Sequence, residues 1–121
     1  MATATRENAA PISRHGGAVT FRSPALLKLA RGAPCLLAVP GICRNHLETV
    51  VACHSNWQEH GKGIGLKASD CFIAFGCQDC HDAIDGRNHR IPTADRRYYW
   101  QRGFERTLLW LFTNKKLKVQ L

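Results

Sequence analysis

Two cysteines, two histidines and three aspartates crowd into the thirteen residues Cys77–His89. This is a density of ligands rather than a core composition. Cys77 and Cys80, two residues apart, can place both sulfurs around one tetrahedral ion, because the intervening backbone turns its N–H groups toward the thiolates. The pair is half a site, and the same spacing also serves a redox dithiol or two unrelated thiols. Cys35 and Cys43 offer a second pair. Pro40-Gly41 between them is a turn signal that brings the two thiols to facing positions near the base of a hairpin-like loop, close enough to share an ion. Further along, His81 and Asp85 stand at i and i+4, on one face of any helix that starts at Cys80.

Elements must be found to carry these groups. At 121 residues the chain makes one domain with a modest core, for which a structural metal would be a material support. Hydrophobic residues account for 45 %, as in a folded globular chain. A formal charge of +8 predicts attraction to polyanions such as nucleic acid. Four of the nine acids, Asp70, Asp79, Asp82 and Asp85, gather beside the candidate ligands, which leaves the rest more basic still. Six cysteines would suggest three disulfides in a secreted protein, but the N-terminus shows no apolar signal core and no run approaches a membrane span. A reducing compartment, metal-held thiols and no membrane partner are expected.

Residues 1–22, rich in Ala, Thr, Arg and Gly, read as a basic, disordered arm; their single acid also gives them the composition of a targeting segment. Residues 23–121 form the domain. Ser23-Pro24 has the form of an N-cap and N1 proline opening a two-turn helix that ends before Gly32. Leu47–Cys53 reads as a strand ending at His54, Ser55–Ser69 as a Gly- and Lys-rich surface loop, and Cys71–Phe75 as a second buried strand. A short helix from Cys80 stops at Gly86, its natural C′ residue. After Ile91-Pro92, with Thr93 or Asp95 as cap, a long helix carries Tyr99, Trp100, Phe104, Leu108 and Leu111 on an apolar stripe and Arg96, Arg97, Arg102 and Arg106 on a basic side. The fold class expected is α+β, with two strands and a helix in ββα order. The loop lacks a Gly-x4-Gly-Lys-Ser/Thr pattern, which disfavours P-loop nucleotide binding.

Cys35-x7-Cys43, the strand ending in His54, the loop closing in Lys67-Ala68-Ser69-Asp70, and Cys77-x2-Cys80-His81-Asp82-Ala83-Ile84-Asp85-Gly86-Arg87 together resemble the HNH, or ββα-metal, endonuclease superfamily and its small phage and prophage nucleases of the YbcO type. The resemblance covers a motif core of residues 35–89. It implies a small zinc-stapled domain that hydrolyses DNA phosphodiester bonds, with His54 as general base and Asp70 at the position that orients it, where the family often has Asn. It implies His81 as ligand of a catalytic divalent ion such as Mg²⁺, completed by Asp85 or His89. Many members carry a ligand Asp directly before the base, and Cys53 stands there in this chain. Cys35, Cys43, Cys77 and Cys80 would close a four-cysteine structural Zn²⁺ site, or His81 would replace one of them. Lys62, Lys67 and Arg87 are the candidate phosphate contacts.

Blander roles stand beside each of these. The quartet could be buried thiols or contain a disulfide, and His54 could be a structural strand-end histidine. Cys53 and Cys71 read as small core residues. His15, His46 and His60 are most simply solvated, although His60 beside the loop could face DNA, and the Arg side of the long helix could serve either solvent or DNA. The alternative to a nuclease is a non-catalytic zinc-binding module that grips nucleic acid, and a zinc-stabilised protein-interaction domain is a third. Dimerisation through the long helix would suit paired-strand cutting. For a phage or prophage enzyme the implied compartment is the cytoplasm of the bacterial host.

Overall fold

In the computed structural model, which describes residues 20–121, the chain runs through helix α1 (Pro24–Lys28), a 3₁₀ turn (Leu47–Thr49), strand β1 (Val51–His54), a second 3₁₀ turn (Gln58–His60), strand β2 (Ile73–Gly76), helix α2 (Gln78–Ile84) and helix α3 (Thr93–Thr113). It is an α+β fold. β1 and β2 pair antiparallel, with Val51 opposite Gly76 and His54 opposite Ile73.

The local signals explain most of these elements. Ser23 caps α1, its Oγ accepting from the Leu26 amide at 3.2 Å, with Pro24 at N1. At the C-terminus of α2 the Arg87 amide reaches the Asp82 carbonyl and the Gly86 amide reaches that of Ala83, which is the Schellman pattern. It needs Gly86 at φ +76°, and the Arg96 guanidinium fills the space where a Cβ would stand. The cysteine arm forms no strand pair: it bends at Leu36 and Leu37 and turns over residues 40–42, where the Ile42 and Cys43 amides donate to the Val39 carbonyl. From Ala33 to Val39 burial alternates, and the Leu36 and Leu37 amides both donate to the Phe75 carbonyl.

Several expectations shift, among them the start of α2, which begins at Gln78 with Cys77 as its N-cap residue rather than at Cys80. The first strand begins at Val51, because Leu47–Thr49 curls into a 3₁₀ turn closed by Thr49 Oγ1 on the His46 carbonyl. The second begins at Ile73, which leaves Cys71 exposed rather than in the core. Neither Thr93 nor Asp95 caps α3, whose N-cap residue is Pro92.

α3 lies across β2. Its buried stripe is Trp100, Gly103, Thr107 and Leu111, while Leu108 is exposed. Close approach is possible because Gly103 has no side chain: a Cβ there would stand 2.6 Å from Leu37 Cδ2 and 3.2 Å from Ala74 Cβ. Thr107 Oγ1 accepts from the Phe75 amide at 2.9 Å, and Trp100 Nε1 donates to the Cys53 carbonyl at 3.0 Å. Each strand is thus pinned to the helix by one buried hydrogen bond.

Candidate active site

Folding brings Cys35, Cys43, Cys77 and Cys80 together, with all four sulfurs within 4.8 Å of one another. Cys43 Sγ and Cys77 Sγ are 4.0 Å apart, and none of the four is in a disulfide. Thiolates 2.3 Å from one tetrahedral ion lie about 3.8 Å apart, so the cluster is positioned to hold a metal ion. The backbone already favours thiolate: the Cys77 amide donates to Cys35 Sγ at 3.2 Å. The hydrogen bond from Cys80 draws the Cys35 thiol down to about 5 against the effect of burial, whereas burial first and then Cys35 push Cys43 up to about 11. Cys80, as the donor to Cys35 and also buried, is raised. Metal binding requires the thiols to be deprotonated, so a dication held by this cluster would displace their protons.

On the other side of α2 a cavity of about 310 Å³ is lined by Ala52, His54, Ser55, Asn56, Lys62, Lys67, His81, Asp85 and Arg87. The period-2 geometry of β1 puts Ala52 and His54 on this face and turns Cys53 to the other. Cys53 is buried there, its thiol pushed up by burial, with its sulfur against the Val51 and Gly76 carbonyls. It is core, as one of its two readings had it.

His54 Nε2 lies 2.8 Å from Asp70 Oδ1. Asp70 is buried behind it, and its other oxygen accepts from the Ser23 amide at 2.7 Å. Arg22 Nη1 approaches Oδ1 at 3.3 Å. Burial would raise the Asp70 carboxyl, but the His54 hydrogen bond, the Ser23 amide and the Arg22 charge outweigh it and hold the group below the usual carboxylate range. An ionised Asp70 accepts, so Nε2 of His54 carries the proton and Nδ1 is the ring nitrogen left with a lone pair.

Opposite, on α2, His81 Nε2 and Asp85 Oδ2 are 3.1 Å apart, and Asp85 Oδ2 also accepts from Arg87 Nη2 at 2.8 Å. Asn56 Nδ2 donates to Oδ1 at 2.9 Å. Burial raises the Asp85 carboxyl, and His81, Asn56 and Arg87 together more than reverse it. The helix sorts its faces by position, with Cys80, Ala83 and Ile84 inward and His81 and Asp85 on the cavity. His89 is exposed, beyond the Schellman turn, and is not among the lining residues.

This chain matches the family model described as "Putative nuclease YbcO" over residues 24–115. It belongs to the YbcO family. The family's Escherichia coli K12 relative, named "Putative nuclease YbcO", is 34 % identical over 87 residues, which cover 71 % of this chain and 90 % of the relative. A relative of the same name from Enterobacteria phage 82 matches to the same extent. A solved structure, described as that of a putative bacteriophage protein from Escherichia coli K-12 MG1655, superposes with a TM-score of 0.61 at 27 % identity, over 74 % of this chain and 99 % of that one.

The YbcO match contains the thiol quartet and every residue of the cavity, but two partners of Asp70 lie just ahead of it. Phe21, Arg22 and Ser23 form a strap: the Phe21 amide donates to Ser69 Oγ, the Asp70 amide to the Phe21 carbonyl, and Arg22 Nη2 to the Lys67 carbonyl at 2.8 Å. Phe21 and Arg22, expected in a disordered arm over 1–22, are thus bonded to the loop end, and residues 1–19 of that arm lie outside those described. Arg22 carried no motif signal, and neither did Asn56. His60 is not solvated: it stacks on Phe72 at 4.3 Å and its Nδ1 meets Ser55 Oγ at 2.6 Å, with burial lowering its pKa. The Arg side of α3 is also largely employed. Arg102 holds the Leu37 and Ala38 carbonyls, and Arg97 pairs with Glu59 over the Trp57 ring. Among the described residues no helix is long and apolar enough to cross a membrane.

Proposed function

We propose that this chain is a metal-dependent DNA endonuclease of the HNH (ββα-metal) type, with a structural zinc in the cysteine quartet. One observation carries the reading: a histidine whose proton is fixed by a buried carboxylate and a His–Asp pair line the same cavity, rimmed by Lys62, Lys67 and Arg87.

His54 is the general base. With Nε2–H donating to Asp70, its Nδ1 takes a proton from the attacking water, and Asp70 stabilises the imidazolium that results. Lys62, Lys67 and Arg87 bind the phosphodiester backbone as cations, which orients the substrate without reading its sequence. His81 and Asp85 are the residues that would hold a divalent ion. Their facing atoms, 3.1 Å apart, have the separation of two neighbouring ligands in an octahedral shell of 2.1 Å bonds, about 3.0 Å. When bound, such an ion supplies Lewis-acid stabilisation of the charge that develops on the phosphate and the leaving oxygen. The quartet holds four soft ligands and no open position, which fits zinc in a structural role.

The test is nicking of supercoiled plasmid in Mg²⁺ or Mn²⁺ by wild type, His54→Ala and His81→Ala, with bound zinc measured on each. Metal-dependent nicking that both substitutions abolish at unchanged zinc content is the expected result. DNA that is bound but left intact under every metal, as linear or as branched substrate, would instead establish a non-catalytic zinc module.

A further inference from the structure

The loop beside the cavity ends in a tight turn that the nuclease reading leaves unused. The Gly63 and Leu66 amides and carbonyls bond each other reciprocally, both at 3.1 Å, with Gly65 at φ +66°. This two-residue turn carries Ile64 at its tip, fully exposed, and Leu66 beside it is 46 % exposed. A turn position normally goes to Gly, Asn, Asp or Ser, so a β-branched aliphatic is an unusual occupant. Folding does not explain it, since the Ile64 side chain is fully exposed and buries nothing in the fold. The stem below is fixed. The Ser69 amide donates to the His60 carbonyl, the Gly61 amide to that of Gln58, and Arg22 holds the Lys67 carbonyl.

We infer that this turn is a finger that engages duplex DNA, with Ile64 inserted in a groove against the bases while Lys62 and Lys67 hold the flanking phosphates. The partner follows from the charge pattern. Residues 61–69 contain two lysines and no acid, and both lysines line the cavity in which the phosphodiester would lie. Cations take the phosphates, and a rigidly held aliphatic tip suits the apolar work of contacting base faces and pressing a base step apart. Such a wedge widens the groove and turns the backbone toward the catalytic wall, so the finger would set which DNA shapes are cut well. The inference rests on the DNA-nuclease reading for its partner, and binding without catalysis tests it separately.

The experiment uses the zinc-loaded full chain without added Mg²⁺ and a duplex carrying 2-aminopurine, whose fluorescence rises on unstacking. Wild type and Ile64→Leu should give a several-fold rise. Ile64→Ser should lose the rise and bind about tenfold more weakly at an unchanged melting temperature. Its salt dependence should stay the same, because the phosphate contacts remain, whereas Lys67→Ala should lower the salt slope by about one. If Ile64→Ser matches wild type in affinity and fluorescence, or wild type does not bind duplex at all, the finger is refuted. If the fluorescence rises but Mg²⁺ brings no nicking, the finger stands and the nuclease reading falls.

Discussion

His54 and Asp70 are joined by a 2.8 Å hydrogen bond between the end of β1 and the buried residue that closes the Gly-rich loop. The bond fixes the tautomer of an imidazole that has a buried carboxylate behind it and the cavity in front. Replacing His54 by Ala should lower nicking by about 10²–10⁴-fold, the range for loss of a general base. Zinc content and DNA affinity should stay near wild type. Asp70→Asn keeps the shape but can present either tautomer, so it should cut turnover with little change in substrate affinity. Plasmid nicking and a filter-binding titration read the two effects apart.

The Asp70 bond also makes a statement about acid stability. Its folded-state carboxyl titrates below its unfolded value, so the native state binds fewer protons and gains stability that is complete above about pH 4. That contribution is lost as pH falls through the folded value. Chemical denaturation between about pH 2 and 6 should show wild type losing stability toward acid more steeply than Asp70→Asn.

Asp85, not His89, should govern the requirement for the divalent ion. Asp85 faces His81 across 3.1 Å on the cavity wall, whereas His89 is exposed beyond the helix end. Titration of nicking with Mn²⁺ should therefore move to more than about tenfold higher metal for Asp85→Ala and hardly at all for His89→Ala. The opposite ranking would place the ion elsewhere.

Much of this was legible because it is local. The Ser23-Pro24 cap, the Gly86 stop and the i, i+4 placement of His81 and Asp85 each depend on a few successive residues. The thiol quartet was legible through the resemblance, since the Cys35-x7-Cys43 spacing is not diagnostic alone and the chain offers six cysteines to choose from. What escaped depends on distant chain segments. Nothing around Thr107 announces that it will accept from Phe75, and Arg97 and Arg102 look like solvated charges until Trp57, Leu37 and Ala38 arrive beside them. Cys71 sits in an apolar run yet falls just outside β2, because a continuous apolar run marks a strand's middle better than its first residue.

The quartet should carry a large share of the stability. Substituting Cys77 by Ser, or removing metal with a strong chelator, forfeits a binding free energy on the order of 10 kcal/mol by comparison with zinc fingers, more than a domain this size has to spare. Loss of cooperative thermal unfolding together with loss of one zinc per chain is expected, by calorimetry and atomic absorption.

Gly103→Ala should destabilise, against the rule for helix interiors. Alanine gains about 1 kcal/mol of helix propensity, but its Cβ would stand 2.6 Å from Leu37 Cδ2 and 3.2 Å from the Leu37 backbone. Overpacking of this kind costs about 1–3 kcal/mol and should dominate, lowering the melting temperature by several degrees.

The strap of Phe21–Ser23 separates the part of the chain that is recognisable from the part that is sufficient. A polypeptide trimmed to residues 24–115 would keep the whole family pattern, all four thiols and every cavity-lining side chain. It would lack the Arg22 charge and the Ser23 amide, and Asp70 would face His54 with an unfilled lone pair and a looser hold. On the proposed mechanism such a fragment would keep its metal-holding thiols and still be a poor base catalyst, so its inactivity would speak about where the protein was cut.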